Sequence, residues 1–174
     1  MPAARYDDIA DGYNWLSPAV RRAVMMSNIT SKNYTSAFTI IQNAGLHDSD
    51  WLVRFEAVKK LAAYPDVNGF NTLYTMMDDS TGVVSSYAAQ CISSTIRSGE
   101  QIGLAATKLR NMFYLYGDGS LRADRDYGWY SVGYSLKQCG LTGAGYMNNI
   151  RQHKPLRCCR RLHPGRNRCQ YSFH

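Results

Sequence analysis

Carboxylates, thiols and imidazoles are the groups in this chain that could carry chemistry, so their spacing comes first. Aspartates occur in pairs: Asp7-Asp8, Asp48 with Asp50, Asp78-Asp79, and Asp124 with Asp126. Two neighbouring carboxylates can divide acid and base work when their surroundings push their proton affinities apart. Each of the last three pairs, however, stands just before a run with helical periodicity. There, N-capping and the helix dipole already account for acidic residues. His47 lies beside Asp48, and Cys91 lies far along the chain inside an apolar helical pattern. A Cys–His couple needs an oriented base in contact with the thiol, and nothing in the spacing supplies one. No Gly-rich phosphate loop, GxSxG or HExxH is present in the sequence. No catalytic residue is assigned.

A third group sits at the end of the chain, where Cys158, Cys159, His163, Cys169 and His174 offer thiolate and imidazole ligands that zinc accepts. The spacing matches no common finger, and adjacent cysteines seldom serve one tetrahedral site. Residues 151–174 also hold seven of the 20 Lys and Arg residues and no acid, and their composition breaks abruptly from the body near Arg151. Three readings of this tail stay open: a zinc- and RNA-binding element, a disordered basic extension, and a stretch that is not native sequence. No metal site and no cofactor are expected.

The tail also explains the charge. The whole chain of 174 residues carries a net +7, but its first 150 residues hold 13 basic against 13 acidic groups. A neutral body has no built-in electrostatic reach for phosphate, so nucleic acid is expected as a partner only through the basic tail. Cys91 and Cys139 are the two thiols of the body, and an odd total of five argues against full pairing. Both are expected to be buried and reduced. The start, "MPAARYDDIADGYNW", has early acids and no apolar stretch, unlike a secretory signal. No run approaches the roughly 18 apolar residues of a membrane span. A cytoplasmic location is the default expectation.

The elements that position these residues are helices. Ser17-Pro18 is an N-cap followed by proline at the first helical position, and Ala19, Val20, Ala23 and Val24 recur at helical spacing through Met26. A second helix carries Ala37, Phe38, Ile40, Ile41 and Ala44, with Gly45 as its expected C-terminal cap. In "SDWLVRFEAVKKLAAYPDVNG", Asp50 is the expected N-cap, and Val53, Ala57, Val58 and Leu61 share one face. Glu56 and Lys60 are spaced for an i,i+4 pair on the opposite face, and Pro65 ends the run. From about Gly69 a partner helix follows, with Phe70, Leu73, Tyr74 and Met77 as its stripe.

The plan then repeats. A shift of 31 residues lays Asp48 on Asp79, Ser49 on Ser80, Val53 on Val84, Ala57 on Ala88, Leu61 on Ile92 and Leu73 on Leu104. These matches occupy the cap and the buried faces of two short helices, the mark of a helical repeat array. Residues 17–45 form a weaker copy upstream. Residues 124–140, with Val132, Leu136 and a closing glycine, form another downstream, beyond the insert "YGDGSLRADRD". Residues 142–152 could supply its second helix, although "TGAGYMNN" is a poor helix former.

An acidic cap, an apolar residue, "VR", and Ala and Leu at four-residue steps resemble the HEAT repeat, in the short bacterial form also found in phycobilisome lyase subunits. The residues that carry the resemblance are Asp50, Val53, Arg54, Ala57 and Leu61, with Asp79, Val84, Ala88 and Ile92 in the next unit. Asp126, Trp129, Val132, Gly133 and Leu136 are similar to terminal units of such proteins. The likeness covers roughly residues 15–150. Arg54 becomes Ser85 in the third unit, and Gly69 has no glycine counterpart. Arg54 is expected to cap a neighbouring helix or to pair with a turn aspartate.

The resemblance implies an all-α fold, an α-α superhelix built as a short solenoid of about four helical hairpins. It would span residues 15–150, after an N-terminal extension (1–14) and before the disordered or non-native tail (151–174). It implies a non-catalytic scaffold that binds a protein partner, and a chain that is part of a larger protein. In such arrays the second helix of each pair lines the concave side, which makes Asn71, Thr75, Lys108 and Asn111 candidates for a contact face. Two other functions stay open: a subunit of a HEAT-like enzyme such as a chromophore lyase, and nucleic-acid binding as in HEAT-like DNA glycosylases. No "HE" dipeptide occurs, so the His–Glu metal ligands of the HEAT-repeat deoxyhypusine hydroxylases are missing. Trp15, Trp51, Trp129 and 13 tyrosines offer stacking surface, most of it expected to serve packing. Asn28 and Asn33 fit the N-x-Thr glycosylation pattern, which has meaning only on a eukaryotic secretory route.

Overall fold

The structure is a computed structural model, and it describes residues 9, 11–27, 35–64, 66–118 and 125–140. These residues form a 3-10 turn (Tyr13–Trp15) and seven α-helices: α1 (Pro18–Met26), α2 (Thr35–His47), α3 (Trp51–Leu61), α4 (Val67–Met76), α5 (Gly82–Thr95), α6 (Gly99–Asp118) and α7 (Arg125–Gln138). The fold is all-α. The basic tail, Asp7-Asp8, Asn28, Asn33, Pro65, Asp124 and the expected helix at 142–152 lie outside the described residues.

Helices of three turns are marginal alone in water, and here each lies against at least one other. The odd-numbered helices α1, α3, α5 and α7 stand side by side in one layer, each packed on the next. The even-numbered helices cover them: α2 packs on α3, α4 on α5, and α6 on α7. The core runs between the two layers. Val53, Ala57, Val58 and Leu61 of α3 are fully buried, as are Val84, Ala88, Ala89 and Ile92 of α5 and Val132 and Leu136 of α7. The first-helix part of the 31-residue echo therefore coincides with equivalent buried positions.

Caps set the helix starts. The Ser17 hydroxyl accepts from the Val20 amide (3.4 Å), Asp50 Oδ1 from the Leu52 amide (2.9 Å), and Asp66 Oδ1 from the Gly69 amide (2.7 Å). Asp66 thus starts α4 at Val67, two residues before Gly69. Gly69 stands in that first turn because a Cβ there would meet the Tyr64 carbonyl oxygen at 2.1 Å. At the other end of the chain, Gly140 adopts a φ of 72° and closes α7.

Several expectations from the sequence give way to packing. Gly45 does not cap α2, which continues to His47; Gly45 lies buried under Met76, whose sulfur would meet an added Cβ at 2.8 Å. Glu56 and Lys60 do not pair. Glu56 is only 7% exposed and receives Lys59 Nζ at 2.8 Å, while Lys60 Nζ reaches back to the Ser27 carbonyl at 2.8 Å. Leu104 is 45% exposed although Leu73 is buried, so the 31-residue offset fails in the second helices. There, Ala105, Ala106 and Leu109 face the core instead. Ala19, Val20 and Ala23 are exposed, because among the described residues α1 has a first-layer neighbour on one side only; Met25 is its buried anchor. Asp126 lies within the first turn of α7 and not ahead of it.

Candidate functional site

Among the described residues, the first two junctions between hairpins carry two-point Arg–Asp ion pairs. At the second junction Arg54 of α3 grips Asp79, with Nε to Oδ2 at 2.7 Å and Nη2 to Oδ1 at 3.0 Å. Its Nη1 donates to the Asp48 carbonyl at 2.8 Å, and Nη2 also reaches the Thr81 hydroxyl at 3.0 Å. One junction earlier Arg21 of α1 grips Asp48 at the same two distances, and its Nη1 donates to the Leu16 carbonyl at 2.7 Å. Both aspartates accept in addition from the backbone amide two residues on, Asp50 in one case and Thr81 in the other. A planar guanidinium suits such two-point contact with a carboxylate better than an ammonium does.

Asp48, Asp50 and Asp79 thereby take separate roles. Asp50 is a cap, whereas Asp48 and Asp79 are clasp acids. Thr81, not Asp79, occupies the N-cap position of α5. Asp48 also receives the Tyr13 hydroxyl at 3.2 Å. Burial pushes the Asp48 carboxyl up, yet Arg21, the Asp50 amide and Tyr13 outweigh it and hold the group below its ordinary value. Burial and the adjacent Asp48 charge raise the Tyr13 phenol beyond the normal range.

Arg54 pairs with a turn aspartate, one of its two expected roles, and Arg21, not singled out in the sequence, does the same. The signal was present: Val20-Arg21 and Val53-Arg54 open successive first-layer helices with the same dipeptide. Ser85 stands where the third arginine would be, and the clasp series ends there. Beyond it, the Ser135 hydroxyl of α7 donates to the Ala89 carbonyl and, at 3.1 Å, to the Gln90 carbonyl. Ser94 Oγ of α5 similarly reaches the Ala62 carbonyl of the preceding hairpin at 3.2 Å.

The contact-face residues divide. Asn71 and Thr75 are exposed on α4, with the Thr75 hydroxyl donating to the Asn71 carbonyl (3.0 Å), and Asn111 is exposed on α6. Asn43 of α2 is exposed as well, while the same layer also exposes Val67 on α4 and Leu104 and Leu115 on α6. Lys108 does not present a free amine. Its Nζ donates to the Tyr74 carbonyl at 2.6 Å and to Asp78 Oδ2 at 2.5 Å, and lies 4.1 Å from the centre of the Tyr74 ring. It ties α6 to the end of α4.

Among the described residues, the groups singled out for chemistry are not assembled. His47 is exposed at the end of α2, while the Cys91 thiol on α5 has Tyr87 as its hydrogen-bond partner. Both are free thiols; Cys139 is buried as expected, Cys91 only half-buried, and in each case that burial pushes the thiol up to about 11. Among the described residues no three His, Cys, Asp or Glu side chains cluster as metal ligands would. No described helix is long and apolar enough to cross a membrane.

The aromatics divide between packing and surface. Phe38 meets Tyr64, Phe55 meets Tyr87 and Phe70 meets Tyr74, with ring centres 4.9 to 5.9 Å apart. Trp15 is 89% exposed. The sequence matches no family model, no curated protein and no solved structure.

Proposed function

We propose that the chain is a non-catalytic protein-binding module, a short solenoid of HEAT-like hairpins that displays its second layer to a protein partner. The observation that carries this reading is the set of exposed second-layer side chains on helices fixed by a buried core, the polar Asn43, Asn71, Thr75 and Asn111 together with the apolar Leu104 and Leu115 of α6. The polar members donate and accept hydrogen bonds without the desolvation cost of a charge. Protein partners offer the same neutral donors and acceptors, and rigid presentation limits the ordering cost of association. The repeated Arg–Asp clasps support the array reading, because like contacts between like elements are what a stack of repeats requires.

The test is affinity capture with the whole chain and with an Asn71→Arg/Asn111→Arg variant. A Lys137→Glu variant, altered at an exposed site on the first layer, is the control. The expected outcome is a protein retained by the wild type and the control and lost by the face variant. Retention by all three would place the contact elsewhere. Retention of no protein by the wild type would contradict the scaffold reading.

A further inference from the structure

We propose that the outer side of α1 is a dimer seam, and that its occupant is the same helix of a second copy of this chain, laid antiparallel across a two-fold axis. The end unit of a helical array needs a polar outer face to stay soluble alone. Among the described residues α1 ends the first layer, and its outer side is apolar. Val24 and Met25 pack into the core, whereas Ala19, Val20, Ala23 and Met26 are exposed, Val20 at 46% and Met26 at 60%. Just ahead of the helix, Trp15 is 89% exposed.

Charge narrows what could cover this side. The exposed residues from Asn14 to Met26 include no charged one. Arg21 is committed to Asp48 and the Leu16 carbonyl, and Arg22 is half-buried with its Nε out of reach of water. A partner steered by charge finds nothing here, and two copies of the face do not repel each other.

Size then selects the second copy. Trp15, Ala19, Ala23 and Met26 run large, small, small, large. Ala19, Ala23 and Met26 fall at i, i+4 and i+7, one stripe of a helix. In an antiparallel pair crossing between the two alanines, Ala19 of each copy meets Ala23 of the partner subunit. The same crossing brings Trp15 alongside Met26 of the partner subunit at both ends. A two-fold contact requires this reciprocity, in which residue i meets j and j meets i. The alanines let the helix axes approach to about 8 Å, and the tryptophan–methionine contacts are the anchors. Side-by-side helix packing is already the plan of the first layer.

The dimer is weak. α1 has nine residues and is about 13 Å long, so the seam covers less than the roughly 800 Å² per partner of a standard interface. Its dissociation constant should lie on the order of tens of micromolar. The seam stands whether or not the second layer binds a protein.

The experiment is sedimentation equilibrium of the full chain in reducing buffer, from about 1 µM to about 500 µM, a range that brackets the expected constant. The mass should pass from monomer to dimer in the tens of micromolar, and should hold in about 0.5 M salt, which screens exposed charges. Ala19→Arg and Ala23→Glu, each tested alone, should weaken association about tenfold or more by burying an unpaired charge. An equimolar mixture of the two should associate again, because the antiparallel register sets the new charges against each other. Thr75→Glu, an exposed change on the second layer, should leave the constant unaltered. Trp15→Ala, a change ahead of the helix, should also weaken the dimer and decides the matter if the α1 variants do not fold. A wild type that stays monomeric throughout would overturn the proposal and leave the seam to another protein. Dimers that survive in the single variants, that dissolve in salt, or that fail to return in the mixture would overturn it as well.

Discussion

Arg54 and Asp79 meet across the junction of two helical hairpins with the geometry that Arg21 and Asp48 show one junction earlier, 2.7 Å through Nε and 3.0 Å through Nη2 in both cases. Each guanidinium spends its remaining nitrogen on a backbone carbonyl just before its own helix, Leu16 for Arg21 and Asp48 for Arg54. One side chain thus fixes its own helix start and the start of the next hairpin. Asp48 links the two clasps, since its carboxylate serves Arg21 and its backbone carbonyl serves Arg54.

Acid should loosen the first clasp. The Asp48 carboxyl is held below its unfolded value of 3.8, so its contribution to stability is full above that pH and is lost as pH falls toward the lower, folded value. Melting temperature followed from pH 7 to pH 2 should drop below about pH 4 in the wild type. Asp48→Asn should be less stable at pH 7 by on the order of 2 kcal/mol, the worth of charged hydrogen bonds, and its curve should be flatter below pH 4. Parallel curves for the two proteins would sink this assignment.

The two packed glycines should respond differently to alanine. At Gly69 an added Cβ lands 2.1 Å from the Tyr64 carbonyl oxygen, and backbone must move. Gly69→Ala should cost roughly 1–3 kcal/mol in denaturant unfolding. At Gly45 the obstruction is the flexible end of Met76. A gain of about 1 kcal/mol in helix propensity offsets the repacking there, so Gly45→Ala should lie within about 0.5 kcal/mol of the wild type. Equal costs at both sites would contradict the close-approach explanation.

Cys91 and Cys139 should be slow to alkylate. With thiols pushed from 9.0 up to about 11, the thiolate fraction at pH 8 falls by roughly a hundredfold, and the reaction rate falls with it. Iodoacetamide labelling resolved by peptide mass should show both sites lagging the denatured chain by about that factor. Labelling of the native protein at the denatured rate would show that the thiols are not buried as described.

How much of this was legible in the sequence depended on whether the cause was local. Ser17, Asp50 and the closing Gly140 could be read directly, because a cap is decided within four residues. The buried face of α3 and its echo in α5 were legible for a similar reason, a fixed helical period against one continuous core. Leu104 misled because α6 sits at another rotation from α4, and rotation about a helix axis is set by neighbours and not by spacing. Lys108 carried no sign of its role, since the open Tyr74 carbonyl exists only once α4 ends where it does. Glu56 was assigned to the solvent side because its charge outweighed its position in the pattern. The clasp stood between these extremes: the repeated Val-Arg dipeptide was visible, but its aspartate lies 25 or 27 residues away.

The Arg–Asp clasps couple successive hairpins, and a double-mutant cycle on Arg54 and Asp79 tests this most directly. Arg54→Met alone leaves a nearly buried carboxylate without its cation, and should cost about 3 kcal/mol in urea unfolding. Asp79→Leu alone should cost a similar amount, whereas the double variant should recover much of the loss. A coupling energy above about 1.5 kcal/mol is the predicted result. Additive single costs, agreeing to within about 0.5 kcal/mol, would show that the two residues do not hold the hairpins together.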